Sequence, residues 1–354
     1  MTVYKASFKK YRLEFKNTVR TSRNELKMHD VFYVRLQRLA DGKITYGEAA
    51  PLKGLSTDDV PGFEQKLQWF CDLINDGMKP GSLDFEQYPS IGFAFETALL
   101  AMNHQEAFKL FDTSFYNGDQ PVAINGLVWM NETGTMLQEA FEKAEAGFNT
   151  IKFKVGALDF DAECRMLESF RKRYDAFKIT LRLDANGAFA NNYALEQLKE
   201  LSRYDIHSIE QPVKAGQFEI MQEVCAKSKI AIALDEELIG LDALNDSARA
   251  LTYIKPAYII LKPTLLGGLQ KSDVWIRSAG RNNIGWWATS ALESNIGLNA
   301  IAQWASTYNN PLPQGLGTGG LYVNNIESPL NVESGKIYYD RSLWNTDELT
   351  RLFE

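Results

Sequence analysis

From about residue 121 the chain alternates short apolar runs with helix-like segments, and this alternation limits its fold more than any other feature. The runs read "VAINGLVW", "TIKFKV", "ITLRLDA", "HSIEQP", "KIAIALDE", "AYIILKP", "NIGWWATS" and a weaker "PQGLG". Segments such as "FDAECRMLESFRKRY", "NYALEQLKELSRY" and "LNAIAQWAS" separate them. Strands alternating with helices make βα units around a parallel sheet. The runs start roughly 22–30 residues apart and number about eight, the count of a closed (β/α) barrel. A doubly wound open sheet is the structural alternative, but no G-x-G-x-x-G turn follows the first run.

The residues before the barrel read differently. "YKASFKKYRLEF" and "VFYVRLQRL" alternate with period two, and "KITYGEAAP" follows. "GFEQKLQWFCDLIND" and "SIGFAFETALLAMNHQEAF" carry apolar residues at helical spacing. The expected organisation is an N-terminal α+β unit over residues 1–115, a barrel over 116–318, and a segment over 319–354 that folds back on the N-terminal unit.

The net charge of −7 argues against a nucleic-acid or anionic-membrane partner. Three cysteines, Cys71, Cys164 and Cys225, show no pairing pattern, which suits a reducing cytosol and offers no thiolate zinc site. No stretch approaches the length of a membrane span and no apolar signal core opens the chain, so a cytoplasmic protein is expected. The sequence leaves a homo-oligomer open.

Charged residues fall at the ends of the apolar runs. Asp184 ends "ITLRLD", Glu210 ends "IHSIE" and Asp235 ends "KIAIALD", spaced by 26 residues (184 to 210) and 25 (210 to 235). The C-terminal ends of barrel strands are where such folds build their sites. One such Asp is well explained as a helix N-cap. Three in consecutive units would repel one another and lose solvation unless a cation offsets the cost. An all-oxygen ligand set points to a hard cation, Mg²⁺ first, with Mn²⁺ as a substitute.

Lysines flank these acids. Lys152 and Lys154 share one face of "TIKFKV", while Ile151, Phe153 and Val155 take the other. Alone, that pattern also fits an edge strand with lysines in water. Lys262 ends "AYIILK", the run after that of Asp235. In a closed barrel the lysines stand on both sides of the acids, and Lys152 together with burial lowers the pKa of Lys154. A divalent metal beside a neutral amine suits proton abstraction from carbon next to a carboxylate, followed by elimination or reprotonation.

"TIKFKVG", "LRLDANGAF", "IEQP", "ALDEEL", "ILKPTLLGG" and "SALESNIGL" together resemble the muconate-lactonising branch of the enolase superfamily, and "YGEAAPLKGLS" and "QGLGTGGLY" fit the same resemblance. It covers nearly the whole chain with its motifs in order. The resemblance implies an α/β fold, a modified (β/α)₇β TIM barrel with an α+β capping domain. It implies Asp184, Glu210 and Asp235 as Mg²⁺ ligands, Lys154 as general base, Lys152 supporting it, and Lys262 facing the other side of a small carboxylate substrate. The implied activity is that of a carbon–oxygen lyase that removes water, with a racemase or epimerase of the same branch as the alternative.

Further contacts are expected from neighbouring positions. Arg182 and Asn186 lie two residues either side of Asp184. Thr289 and Ser290 follow the seventh run and serve either a substrate carboxylate or a helix N-cap. Gly317 lies in "GLGTGG", which offers open backbone or a tight turn. The loop around Thr21 and Ser22 is expected to close over the mouth.

Two positions depart from the branch pattern. Asp235-Glu236-Glu237 stands where Asp-Glu-Ser is usual, leaving three acids for one role, and Asp235 is preferred because it ends the apolar run. Glu210-Gln211-Pro212 replaces Glu-Glu-Pro. Only His29, His104 and His207 exist, and none ends a late strand, which disfavours a His-Asp base. "GLGTGGL" has no Asp-x-Asp to hold the ammonium group of a dipeptide. A non-catalytic barrel is the remaining alternative, and retention of every catalytic residue type argues against it.

Overall fold

The computed structural model describes residues 3–20, 25–345 and 347–354. Thr21 and Ser22, expected in a closing loop, lie outside the described residues. Period-two apolar patterning in the first fifty residues produces three antiparallel strands, β1 (Tyr4–Arg20), β2 (Glu25–Arg38) and β3 (Ile44–Ala49). Strand β2 is apolar on both faces, so it is covered on both. Phe32, Val34 and Leu36 pack with Leu67, Phe70 and Ile74 of α1 (Phe63–Asn75) and with Phe95 and Ala98 of α2 (Pro89–Ala101). Val31 and Tyr33, one residue out of phase, pack with Leu292, Ile296 and Tyr322. The second face therefore seats this α+β domain against the barrel.

A two-residue strand, β4 (Val122–Ala123), precedes the barrel. The parallel strands are β5 (Gly126–Val128), β6 (Thr150–Lys154), β7 (Thr180–Asp184), β8 (Ile206–Glu210), β9 (Ala231–Leu234), β10 (Tyr258–Leu261) and β11 (Gly285–Ala288). They pair in sequence order in one sheet. The helices between them are α3 (Thr133–Glu145), α4 (Phe160–Arg173), α5 (Ala194–Leu201), α6 (Phe218–Lys227), α7 (Ser247–Ile254), the single turn α8 (Pro263–Leu266), α9 (Leu269–Arg281) and, after β11, α10 (Asn295–Ala305).

The ring closes through a minimal eighth strand. Gln314 bridges to Ile124 and Gly315 to Thr289, both in parallel sense. A Cβ on Gly315 would come within 2.6 Å of Thr289 Oγ1, so glycine is required where this segment presses against the end of β11. The weak eighth apolar run is thus explained: few side chains separate it from its neighbours. The architecture is a (β/α)₇β barrel with an α+β capping domain.

The last residues do two things. Strands β12 (Leu330–Glu333) and β13 (Lys336–Tyr339) pair with β4. Helix α11 (Asp347–Phe353) packs against the capping sheet through Leu349, where Trp344 stacks on Phe108 with ring centroids 4.1 Å apart.

Candidate active site

Parallel register places the charged strand ends in rows. Lys154 pairs with Asp184 and Asp184 with Glu210, so these three side chains point into the barrel at one level. Lys152 and Arg182 lie one level below. Asp235 follows β9 two residues after Ala233, the partner of Glu210, and Lys262 follows β10. On the other face of β6, Ile151, Phe153 and Val155 are fully buried, with Phe153 edge-on to Phe170 of α4 at 5.7 Å. The Lys-Phe-Lys pattern is therefore a fully buried strand whose inner face is cationic.

The lysines and acids interlock. Lys152 Nζ lies 2.7 Å from Glu210 Oε2 and 3.4 Å from Asp184 Oδ2. Lys154 Nζ donates to Asp184 Oδ2 at 2.9 Å and to Asn186 Oδ1 at 2.8 Å. Lys262 Nζ lies 2.5 Å from Asp235 Oδ2. Lys154 and Lys262 thus stand on β6 and at the end of β10, with the three acid-bearing strands between them.

Burial acts to raise Asp184, but Lys154, Lys152 and Lys262 outweigh it and hold its carboxyl well below the usual range. Burial raises Glu210, Lys152 offsets only part of that, and the charges of Asp184 and Asp235 add to the rise. Burial works against the Lys152 ammonium, yet Glu210 and Asp184 hold it above its ordinary value. Lys262 is raised in the same way, chiefly by Asp235. While the carboxylates face only ammonium groups they hold Lys152 and Lys262 protonated, and a bound cation would take up part of that negative charge.

The donor set fits such a cation. Asp184, Glu210 and Asp235 are at most 2% exposed and offer oxygen only. Glu210 Oε1 is buried without a hydrogen-bond partner, an uncompensated acceptor on one of the three acids. Among the described residues no three acid, histidine or cysteine groups stand at the spacing of a closed metal cage; the ammonium groups lie between the acids instead. Of the three candidates after β9, Asp235 meets Lys262, Glu236 takes a hydrogen bond from Asn186 Nδ2 at 3.0 Å and lines the cavity, and Glu237 turns away to Gln211.

A cavity of about 870 Å³ opens above this cluster between the barrel and the capping domain. Lys152, Lys154, Asp184, Asn186, Lys262, Thr289, Ser290 and Gly317 all line it. Thr289 lines the cavity, with its Oγ1 buried and without a hydrogen-bond partner. Ser290 reaches the cavity wall, but its hydroxyl donates to Glu293 Oε2 at 2.6 Å and accepts from the Leu292 amide at 3.0 Å, so it shapes the loop. The cap of α10 is Ser294, neither Thr289 nor Ser290.

Arg182 lies deeper in the barrel. It faces inward as its position on β7 dictates, yet it does not line the cavity. Its Nη1 donates to the Pro313 carbonyl at 2.8 Å and its guanidinium stacks 3.8 Å from the Trp287 ring. It fills the barrel beneath the site, and burial lowers its pKa to about 10.

Sequence reasoning missed several groups. Trp129 follows β5 and lies 5.7 Å from the Lys154 ammonium in the cavity wall. It ends the run "VAINGLVW", the same position that revealed the acids. Leu292, also in the wall, holds φ +69°, a strained conformation for a bulky residue. Its carbonyl is pinned by His29 Nδ1 at 3.0 Å and by the Tyr322 hydroxyl at 2.6 Å. Nothing local in the sequence signals that strain.

The capped barrel with acids on three successive strand ends and lysines on either side defines an enolase-superfamily protein. Residues 135–341 match the family described as Enolase C-terminal domain-like. The o-succinylbenzoate synthase of Desulfotalea psychrophila is 39% identical over 95% of this chain and 99% of its own length. The solved structure of MenC from Desulfotalea psychrophila superposes with a TM-score of 0.85 at 36% identity, covering 95% of this chain and 99% of that one. The chain belongs to the o-succinylbenzoate synthase family. A dipeptide epimerase from Enterococcus faecalis, solved with Mg and the dipeptide L-Leu-L-Tyr, shares the fold at a TM-score of 0.82 and 22% identity, covering 96% of this chain and 98% of that one.

Proposed function

We propose that the protein is a Mg²⁺-dependent carbon–oxygen lyase that dehydrates 2-succinyl-6-hydroxy-2,4-cyclohexadiene-1-carboxylate to o-succinylbenzoate, a step of menaquinone biosynthesis. One observation carries this reading: Lys154 and Lys262 enter the same cavity from opposite sides of three strand-end carboxylates. The family relationship supplies the substrate.

Asp184, Glu210 and Asp235 would hold Mg²⁺, or Mn²⁺ in its place. When bound there, the cation would supply positive charge to offset the negative charge that builds on the substrate carboxylate as the neighbouring proton leaves. Lys154 Nζ removes the proton from C1 and then returns it to the hydroxyl on C6. The C1–H and C6–O bonds break, the C1–C6 double bond forms, and water departs. Lys262 keeps its ammonium group against the opposite side of the ring, attracted to the delocalised charge. Lys152 holds Glu210 and Asp184 in place, and Asn186 orients Lys154 by accepting its second hydrogen bond. Thr289, whose hydroxyl has no other hydrogen-bond partner, and Gly317 both line the cavity where a substrate carboxylate would sit.

The substrate is a small carboxylate, and we place the reaction in the cytoplasm. Among the described residues no helix is long and apolar enough to cross a membrane, and all three cysteines are free. The deciding experiment incubates purified protein with the diene and Mg²⁺. Loss of diene absorbance that EDTA abolishes is expected; no loss, with EDTA making no difference, rejects the reading.

Opposed lysines also suit two-base proton exchange, so N-succinylamino-acid racemisation or a related epimerisation is the second reading. Deuterium uptake at the α-carbon of N-succinyl amino acids, without diene turnover, would select it. A dipeptide substrate is disfavoured because Gln314–Thr318 carries no carboxylate for its ammonium group.

A further inference from the structure

Gln211 is fully buried and holds φ +39°, a left-handed backbone that a non-glycine residue keeps only when its surroundings fix it. Its backbone joins two neighbouring strands. The carbonyl accepts from the Gly187 amide at 2.6 Å, in the turn after Asp184, and the amide donates to Ala233 on β9 at 2.9 Å. Its side chain joins a third element. Oε1 accepts from the amides of Asp235 at 3.2 Å and Glu237 at 3.1 Å. Nε2 donates to the Val213 carbonyl at 3.0 Å and to Glu237 Oε2 at 2.8 Å. The other oxygen of Glu237 accepts from the Gly216 amide at 2.7 Å. One residue, directly after Glu210, thus ties together the turns that follow Asp184, Glu210 and Asp235.

The chemistry at each position is restricted. Position 211 must accept two N–H groups and donate to two oxygens, which an amide does and a carboxylate does not. Position 237 faces donors only, which suits a carboxylate that is 3% exposed. We propose that Gln211 and Glu237 form a positioning pair that sets the spacing of the carboxylates of Asp184, Glu210 and Asp235, and with it the affinity for a divalent cation. This rests on the ligand set proposed above. Neither residue touches substrate; both act through the backbone of the ligands. The two positions where the chain departs from the branch pattern are therefore partners in one hydrogen-bonded unit.

A reciprocal swap tests the pair. Gln211→Glu alone sets two carboxylates face to face, and Glu237→Gln alone sets a donor against a donor. In the double variant the amide on 237 donates to the carboxylate on 211, the amides of 235 and 237 keep their acceptor, net charge is unchanged, and only the Val213 carbonyl loses its donor. Mn²⁺ binding to metal-stripped protein, read by electron paramagnetic resonance, is measured beside urea unfolding. Each single variant is expected to weaken Mn²⁺ binding at least about tenfold, and the double variant to bind Mn²⁺ more tightly than either single variant. Losses that add in the double variant, or a fall in stability with unchanged Mn²⁺ affinity, overturn the proposal. Where a single variant does not fold, a folded double variant that binds Mn²⁺ supports the pair, and a double variant that also fails to fold overturns it. A parent that binds Mn²⁺ but leaves the diene intact defeats the proposed reaction and not the pairing.

Discussion

Glu48 on β3 reaches across the domain boundary to Ser294, accepting its amide at 2.7 Å and its hydroxyl at 2.5 Å. It also accepts the Gly297 amide at 2.7 Å, so a capping-domain carboxylate closes the first turn of barrel helix α10. Glu96 on α2 does the same for α9, accepting the amides of Leu269 at 2.7 Å and Gln270 at 2.9 Å. Two barrel helices are thus capped by the other domain. Glu48→Ala should lower unfolding free energy by about 2–3 kcal/mol, because buried donors lose their acceptor. Urea denaturation measures this, and a loss below about 0.5 kcal/mol would mean that the seam does not depend on Glu48.

Stability should fall as pH rises through neutrality. Burial pushes Glu48, Glu96 and Glu163 up to about 7, against backbone hydrogen bonds that pull them down. These folded-state values lie above the unfolded one. Their contribution is therefore complete below the ordinary carboxyl range near 4.5 and is lost as pH climbs through about 7. Unfolding free energy should drop by on the order of 1–3 kcal/mol between pH 5 and pH 8. Glu96→Gln should flatten that slope. A stability that rises across this interval contradicts the assignment.

Lys154→Ala should lower kcat by about 10²–10⁴-fold with a small change in KM, the loss typical of a removed general base. Lys154→Arg should not recover it, because guanidinium does not release its proton near neutrality. Diene consumption reads both variants. Activity within tenfold of the parent would assign the base elsewhere.

Chelation should abolish turnover, and Mg²⁺ or Mn²⁺ should restore it. Asp184→Asn should weaken Mn²⁺ binding while also freeing Lys152 and Lys154 from their shared partner. Turnover that persists in excess EDTA would remove the metal from the reading.

Arg182→Met should leave kcat/KM within about threefold of the parent, since the guanidinium reaches Pro313 and Trp287 and not the cavity. A hundredfold fall would return Arg182 to the substrate.

Much of the site was legible because strand chemistry is periodic. Asp184, Glu210, Asp235 and Lys262 each end an apolar run, and Lys152 and Lys154 share a strand face by parity alone. Parity also turned Arg182 inward, but it carries no depth, and one level of the barrel separates a cavity wall from a packed interior. Ser290 was legible as a loop residue and not as the partner of Glu293.

What the sequence determined unaided was the barrel, the order of its charged strand ends and the chemistry those charges permit, because apolar period and strand parity are local properties of the chain. The tertiary structure alone decided which carboxylate meets which lysine, that Gln211 and Glu237 are partners, and that His29 and Glu48 hold the loop at Leu292 and Ser294. Those relationships join residues up to 263 positions apart, and their energies depend on distance and burial that exist only once the barrel has closed and the capping domain has docked.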